Sequence, residues 1–76
     1  MAHLANDLGF RAVIRHRDRG HYYAGEGRWV QEQAEAMEFF SIDEVMSEAD
    51  ARGLKNCCEI VVHLDDDPRF RIFLPL

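Results

Sequence analysis

The chain has 76 residues, of which 47% are hydrophobic and 30% charged, a composition typical of one small folded domain. Nine Lys and Arg against fourteen Asp and Glu give a net charge of −5, which disfavours bulk attraction to nucleic acid or an acidic membrane. The unbroken apolar runs are too short to span a bilayer, and the first ten residues lack the features of a signal peptide. We therefore expect a single domain over residues 1–76, with a flexible or loosely packed segment at 1–8 and no membrane partner.

The only two cysteines, Cys57 and Cys58, are neighbours. Adjacent side chains on a strand point to opposite faces, so these two cannot form a disulfide without a distorted peptide. We therefore expect no disulfide within the chain and a reducing, cytoplasmic location. A small core without crosslinks also favours a homodimer, because association buries surface that one copy leaves exposed.

Charge is unevenly distributed along the chain. Residues 26–50 carry eight acids and one Arg, whereas residues 1–25 carry four Arg and two Asp, and residues 51–76 are balanced. Eight of the nine basic residues are Arg, whose forked guanidinium suits interfaces better than the Lys ammonium does.

The first third of the chain predicts three strands. Residues 10–17 (FRAVIRHR) alternate in polarity with the period of a half-buried strand. Asp18-Arg19-Gly20 supplies a turn, and the aromatic stretch 21–23 favours a second strand. Gly25-Glu26-Gly27 marks the next turn, and a third strand begins at 28–30, so two successive hairpins are the simplest interpretation.

The next segment leads into the helix. Residues 31–37 favour either a loop or a single helical turn, followed by a brief extended segment at Phe39-Phe40 that forms a possible fourth strand. Ser41 and Glu44 have the spacing of a capping box at a helix start, and Gly53 is a natural helix end. Between them one apolar stripe follows the helical period: Ile42, Val45, Met46 and Ala49.

Two more strands complete the prediction. Residues 57–64 and 69–74 both alternate, and Asp65-Asp66-Asp67-Pro68 separates them with turn residues. The predicted fold class is therefore α+β: a small antiparallel sheet in the order β-β-β-(β)-α-β-β, with one amphipathic helix packed on one face.

One spacing resembles a known group of sequences. Trp29 followed by Ala36-x-x-Phe39-x-Ser41-x-x-Glu44-Val45, after a Tyr-rich hairpin with glycine, is similar to small uncharacterised bacterial and phage proteins. The resemblance covers about residues 21 to 54 and departs at Val45, where the pattern more often has Ala. It implies a bacterial or phage origin and no catalytic residues.

The sequence predicts no catalytic residue, metal site or cofactor. His16 and His21 flank the first turn, but their relative orientation depends on the turn register, and no zinc-type spacing is present. Cys57 and His63 are the right residue types for thiol catalysis, yet six residues along a strand span about 20 Å. The aspartates at 65–67 lack the further oxygen ligands of an EF-hand.

The alternation predicts which side chains share a face of the sheet. The helix-covered face is expected to hold the core residues Phe10, Ala12, Ile14, Cys58, Ile60, Val62, Leu64, Phe70, Ile72 and Leu74. The opposite face is expected to display a candidate interaction surface of arginine and apolar side chains: Arg11, Val13, Arg15, Val61, His63, Arg69, Arg71 and Phe73. Arg and aromatic residues are enriched at association surfaces.

Two functions suit such a surface. The first is non-enzymatic protein association, either with a partner or between two copies. The alternative is nucleic-acid binding, with the arginines on phosphates and an aromatic ring on a base. The acidic net charge and the absence of RNA-recognition motifs favour the first.

Overall fold

The computed structural model describes residues 10–64, 67 and 69–76. The segment predicted to be loosely packed, 1–8, lies outside the described residues, as do Asp65, Asp66 and Pro68 of the predicted turn.

The described residues form one antiparallel sheet and one α-helix. The strands are β1 (Phe10–His16), β2 (Tyr22–Gly25), β3 (Arg28–Val30), β4 (Cys58–Leu64) and β5 (Arg71–Pro75), and the helix, α1, is Ile42–Arg52. The sheet order is β3-β2-β1-β4-β5. The predicted α+β class is confirmed, since a single helix packs on a single sheet.

Residues 31–40 resolve the alternatives that the sequence leaves open. They contain a short 3-10 helix, Gln33–Glu35, and then a single bridge in place of a fourth strand. The Ala12 N–H donates to the Phe39 carbonyl at 2.9 Å, and the Phe39 N–H donates to the Ala12 carbonyl at 2.8 Å. Phe39 therefore occupies the side of β1 that faces away from β4.

The predicted helix caps are confirmed. The Ser41 hydroxyl accepts from the Glu44 N–H at 3.2 Å, and Gly53 ends the helix with a left-handed φ of 67°. The Glu44 carboxylate accepts from the Phe40 N–H at 2.9 Å. In a standard capping box it would accept from the N–H of the N-cap residue itself, Ser41. Both ends of α1 thus have partners for backbone groups that the helix itself leaves unpaired.

The core between α1 and the sheet contains Tyr23 and Phe39 beside smaller side chains. Its other buried members are Ala12, Ile14, Val45, Ala49, Leu54, Cys58 and Ile60. The Tyr23 hydroxyl reaches Glu48 on α1, and burial together with this hydrogen bond raises the pKa of Tyr23. Four of the ten predicted core positions are buried: Ala12, Ile14, Cys58 and Ile60.

Three residues predicted to face the core are exposed instead. Ile72 and Leu74 of β5 are 44% and 38% exposed, and Ile42, the first residue of α1, is 45% exposed, so placing them in the core was wrong. A helix of 11 residues is only about 16 Å long, and its packing partner is β1. The helix does not reach the β5 side of the sheet.

Candidate functional site

The face of the sheet opposite α1, called the reverse face below, is partly closed. Val13 and Val61 are fully buried there, in a small cluster with Tyr22, so their predicted role as exposed interaction residues was wrong. Val30 and Ala36 pack against the same cluster. The alternation predicted the correct face for both valines but could not show what covers them.

One cross-sheet contact explains this closure. The Arg71 Nη2 on β5 donates to the Tyr22 Oη on β2 at 3.1 Å, although β1 and β4 separate the two strands. The two long side chains therefore extend toward each other over β1 and β4, which carry Val13 and Val61. The Arg71 guanidinium also lies 5.2 Å from the centre of the Phe73 ring, a cation–π distance.

The other predicted site residues have partners within the chain or lie at its rim. Arg15 pairs with Glu59 at 2.6 Å. Arg11 lies 3.7 Å from Glu38 and stacks on Phe40. Arg69 is almost wholly exposed. The predicted interaction surface is therefore largely occupied by its own contacts.

One row of the reverse face is basic. Arg11 and His63 are directly opposite each other on β1 and β4, and His63 is directly opposite Arg71 on β5. The His63 Nε2 is buried, and no hydrogen-bond partner for it occurs among the described residues. A histidine thus lies between two arginines on this row, and Glu38 lies 3.7 Å from one of them, Arg11.

An open apolar groove lies on the helix side, where α1 leaves the sheet uncovered. Its volume is about 370 Å³. One wall is the start of α1, with Phe40 and Ile42, and the other wall is β5, with Ile72 and Leu74. The remaining lining residues are Phe10, Arg11, Ala12, Phe39, Ser41, Val62 and Phe70. Sequence reasoning missed this groove, since it assigned Phe70, Ile72 and Leu74 to a covered core.

The outer edge of β5 carries unpaired backbone groups in the described part of the chain. Ala12 exchanges both its hydrogen bonds with Phe39, so its opposite residue on β4, Val62, directs its own bonds toward β5. The β5 partner of Val62 is Ile72. By alternation, Ile72 and Leu74 bond to β4, whereas Arg71 and Phe73 direct their N–H and C=O groups outward.

The side chains along this edge are exposed on both faces. Ile72, Phe73 and Leu74 are consecutive and 38–47% exposed. Ile72 and Leu74 face the groove, whereas Phe73, which alternates with them, lies on the reverse face. The other edge strand, β3, has only three residues and a register shift beside it. Of the two edge strands in the described sheet, β5 therefore presents the regular, apolar edge.

The thiols form a second cluster. Cys57 precedes β4, so the rule of alternation does not separate it from Cys58, and the two Sγ atoms lie 3.4 Å apart. Burial raises the pKa of the Cys58 thiol to about 12, and the neighbouring Cys57 adds to the shift. Cys57 shares a cavity of about 360 Å³ with His16, His21 and Trp29, which places both histidines on the same side.

This cavity has no metal-site geometry. The His16 Nδ1 accepts from the N–H groups of Asp18 and Arg19 at 3.3 and 3.2 Å, so this nitrogen holds the β1–β2 turn. Within residues 10–64, 67 and 69–76, no three His, Cys, Asp or Glu side chains are grouped to hold a metal ion. His63, the partner weighed for thiol catalysis, pairs with Arg11 at the opposite end of β4 from Cys57.

Comparison with known proteins finds no relative for this fold and site. No family model matches the sequence, and no curated protein and no solved structure matches it. Among the described residues there is no helix of the length and apolarity required to cross a membrane.

Proposed function

We propose that this chain is a non-enzymatic protein-association module that binds its partner by strand addition along β5. The observation that carries the proposal is the exposure of Ile72, Phe73 and Leu74 on both faces of an edge strand. A partner that covers one face contacts either Ile72 and Leu74 or Phe73, whereas an added strand lies beside all three. Strand addition draws its affinity from the main chain and its specificity from alternate side chains.

The weak protection of the β5 edge supports the same proposal. Natural sheets block a free edge with charged side chains, proline, bulges or short strands, because an open edge recruits other chains. β3 is short and irregular. β5 has five residues paired with β4 without a register shift, with Arg71 at its start and Pro75 at its end. The Arg71 side chain bonds to Tyr22 across the reverse face, so among the described residues the centre of this edge is left uncovered.

This proposal keeps the predicted function, protein association, but places the contact surface at the β5 edge instead of the whole reverse face. Association was expected over the whole reverse face, but Val13 and Val61 are buried there. Arg71 and Phe73 belong to both surfaces, and Arg69 lies two residues before the strand. Both cysteines are free thiols, which suits the reducing cytoplasm that forms part of this proposal.

Position-specific crosslinking tests the proposal. A photoreactive amino acid replaces Phe73 in the full chain, expressed in cells, and the matched control carries it at Arg28 on the other edge strand. We expect an intermolecular product from position 73 that is absent from position 28 and lost when Ile72→Lys is added. Position 73 yielding no intermolecular product, or both positions yielding the same one, overturns the proposal.

The basic row favours a second candidate function, binding of nucleic-acid phosphates. Arg11, His63 and Arg71 are cross-strand neighbours, and an orphaned histidine nitrogen lies among them. The net charge of −5 opposes this function. It predicts salt-dependent retardation of short single-stranded oligonucleotides that Arg71→Gln weakens, and no retardation at low salt excludes it.

A further inference from the structure

We propose that the strand added to β5 is β5 of a second copy of this chain, paired antiparallel about a two-fold axis at Ile72. This inference rests on the proposed function and names its partner. An isologous contact requires a surface that is complementary to itself, and both the backbone and the side chains of β5 meet this requirement.

The backbone selects the register. With the axis at Ile72, Arg71 of each copy lies opposite Phe73 of the other, and their outward N–H and C=O groups form four hydrogen bonds. With the axis at Phe73, Arg71 instead faces Pro75, which has no N–H to donate. One Arg71 carbonyl per copy is then left without a donor. The axis at Ile72 satisfies every outward group of Arg71 and Phe73.

The side chains match in the same register. On the groove side, Ile72 meets its symmetry mate, so the apolar row of Phe70, Ile72 and Leu74 continues from one copy into the next. On the reverse face, Phe73 lies beside the Arg71 of the other copy, a pairing that already exists within one chain at 5.2 Å. Apolar residues therefore face apolar residues, and each guanidinium faces a ring.

The two acidic helices stay apart in this arrangement. Both lie on the same side of a ten-stranded sheet, and the two β1 strands on which they pack are five strand spacings, or about 24 Å, apart. That distance exceeds the screening length of about 8 Å at physiological salt. The negative net charge of each copy is therefore compatible with pairing.

The area that self-pairing requires is a modest share of the surface. The chain has an accessible surface of 5100 Å², and a specific interface buries at least about 1,000 Å² in total. Each copy therefore needs to bury about one tenth of its surface, centred on the exposed side chains of Ile72, Phe73 and Leu74.

Sedimentation of charge-swapped variants tests the inference. We expect the wild-type chain to sediment at twice its mass of 8.8 kDa. Ile72→Lys alone and Ile72→Glu alone each place like charges across the axis, so each dimer weakens by about 100-fold or more. An equimolar mixture forms a 1:1 heterodimer, because the axis then pairs Lys with Glu. The matched control is Ile42→Lys, since Ile42 is equally exposed at 45% but lies on the other groove wall; it stays dimeric.

The outcomes separate this inference from the proposed function. Circular dichroism first confirms that each variant is folded. A wild-type chain that sediments as a single copy at high concentration overturns self-pairing, while a crosslink from Phe73 to a protein of another mass leaves strand addition intact. Dimers that persist in both Ile72 variants overturn the β5 contact. Failure of the mixture to recover the dimer overturns the axis at Ile72.

Discussion

The hydrogen bond from Arg71 Nη2 to Tyr22 Oη spans 3.1 Å and joins β5 to β2 across two intervening strands. It closes the reverse face over two buried valines and holds the Arg71 side chain inward, while the backbone of the same residue faces the open edge. The Arg71 side chain thus stabilises the domain itself, while the Arg71 backbone lies in the proposed contact.

Removing the hydroxyl of this pair tests its contribution to stability. Tyr22→Phe is expected to lower the free energy of unfolding by about 0.5–1.5 kcal/mol, the net value of a typical hydrogen bond. Urea denaturation measures the change. In an Arg71→Ala background the same substitution is expected to have little effect, because the donor is already absent. Equal losses in both backgrounds contradict the assignment.

Because Val61 is buried, we expect its substitution to lower the stability of the domain and not to act directly on partner binding. Val61→Ala is expected to lower the free energy of unfolding by about 2 kcal/mol, at the low end of large-to-small core substitutions. Ile42→Ala serves as the exposed control, with an expected loss below about 1 kcal/mol. Thermal and urea denaturation of the two variants provide the comparison, and similar losses show that Val61 is not a core residue.

The helix cap makes a separate prediction. Ser41→Ala removes the acceptor for the Glu44 N–H and is expected to lower the free energy of unfolding by about 1 kcal/mol. Ser41→Asp retains an acceptor at the same position and is expected to preserve most of the wild-type stability. Denaturant midpoints for the three chains rank them, and an Asp variant as unstable as the Ala variant rules out capping as the cause.

Burial of Cys58 predicts a loss of stability in alkali. Its folded-state pKa of about 12 lies above the ordinary value of 9.0, so the unfolded chain loses the thiol proton at a lower pH than the folded chain does. The contribution is fully present below about pH 9 and is lost as the pH rises toward 12. Tyr23, whose pKa is also raised, adds to the loss at the upper end.

The matched control for this pH dependence is Cys58→Ala, which retains Tyr23 but lacks the thiol. The free energy of unfolding of the wild-type chain is expected to fall more steeply than that of the variant between pH 9 and 12. Denaturant unfolding at fixed pH steps measures both slopes. Parallel curves contradict a buried, neutral thiol.

Local patterns in the sequence were sufficient to predict the fold class and the helix ends, but not to predict which residues of the sheet are exposed. The capping spacing of Ser41 and the left-handed stop at Gly53 act within one turn of helix, so both are readable without tertiary information. Alternation placed Val61 on the correct face. Its burial depends on Tyr22 and Arg71, which are 49 residues apart and meet only through the strand order. Coverage of a face is a tertiary property.

The same limit applies to β5 and the thiols. Ile72 alternates like a core residue, and only the length and position of α1 leave it exposed. The proximity of Cys57 to His16 and His21 depends on Cys57 lying just before β4 instead of within it. A boundary shift of one residue changed which side chains share a cavity, and element boundaries are the least certain part of any sequence-based prediction.

The pairing of β1 with β4 also has a consequence for how the domain is assembled. In the described sheet, β1 and β4 are the one pair of neighbouring strands that are not consecutive in the sequence. Their Arg15–Glu59 contact joins residues 44 positions apart. Closing that long loop is the slow entropic step, whereas the flanking hairpins form locally. We therefore expect the domain to tolerate a chain break near Lys55, with a fragment carrying β1–β3 and α1 reconstituting the sheet when mixed with the β4–β5 hairpin.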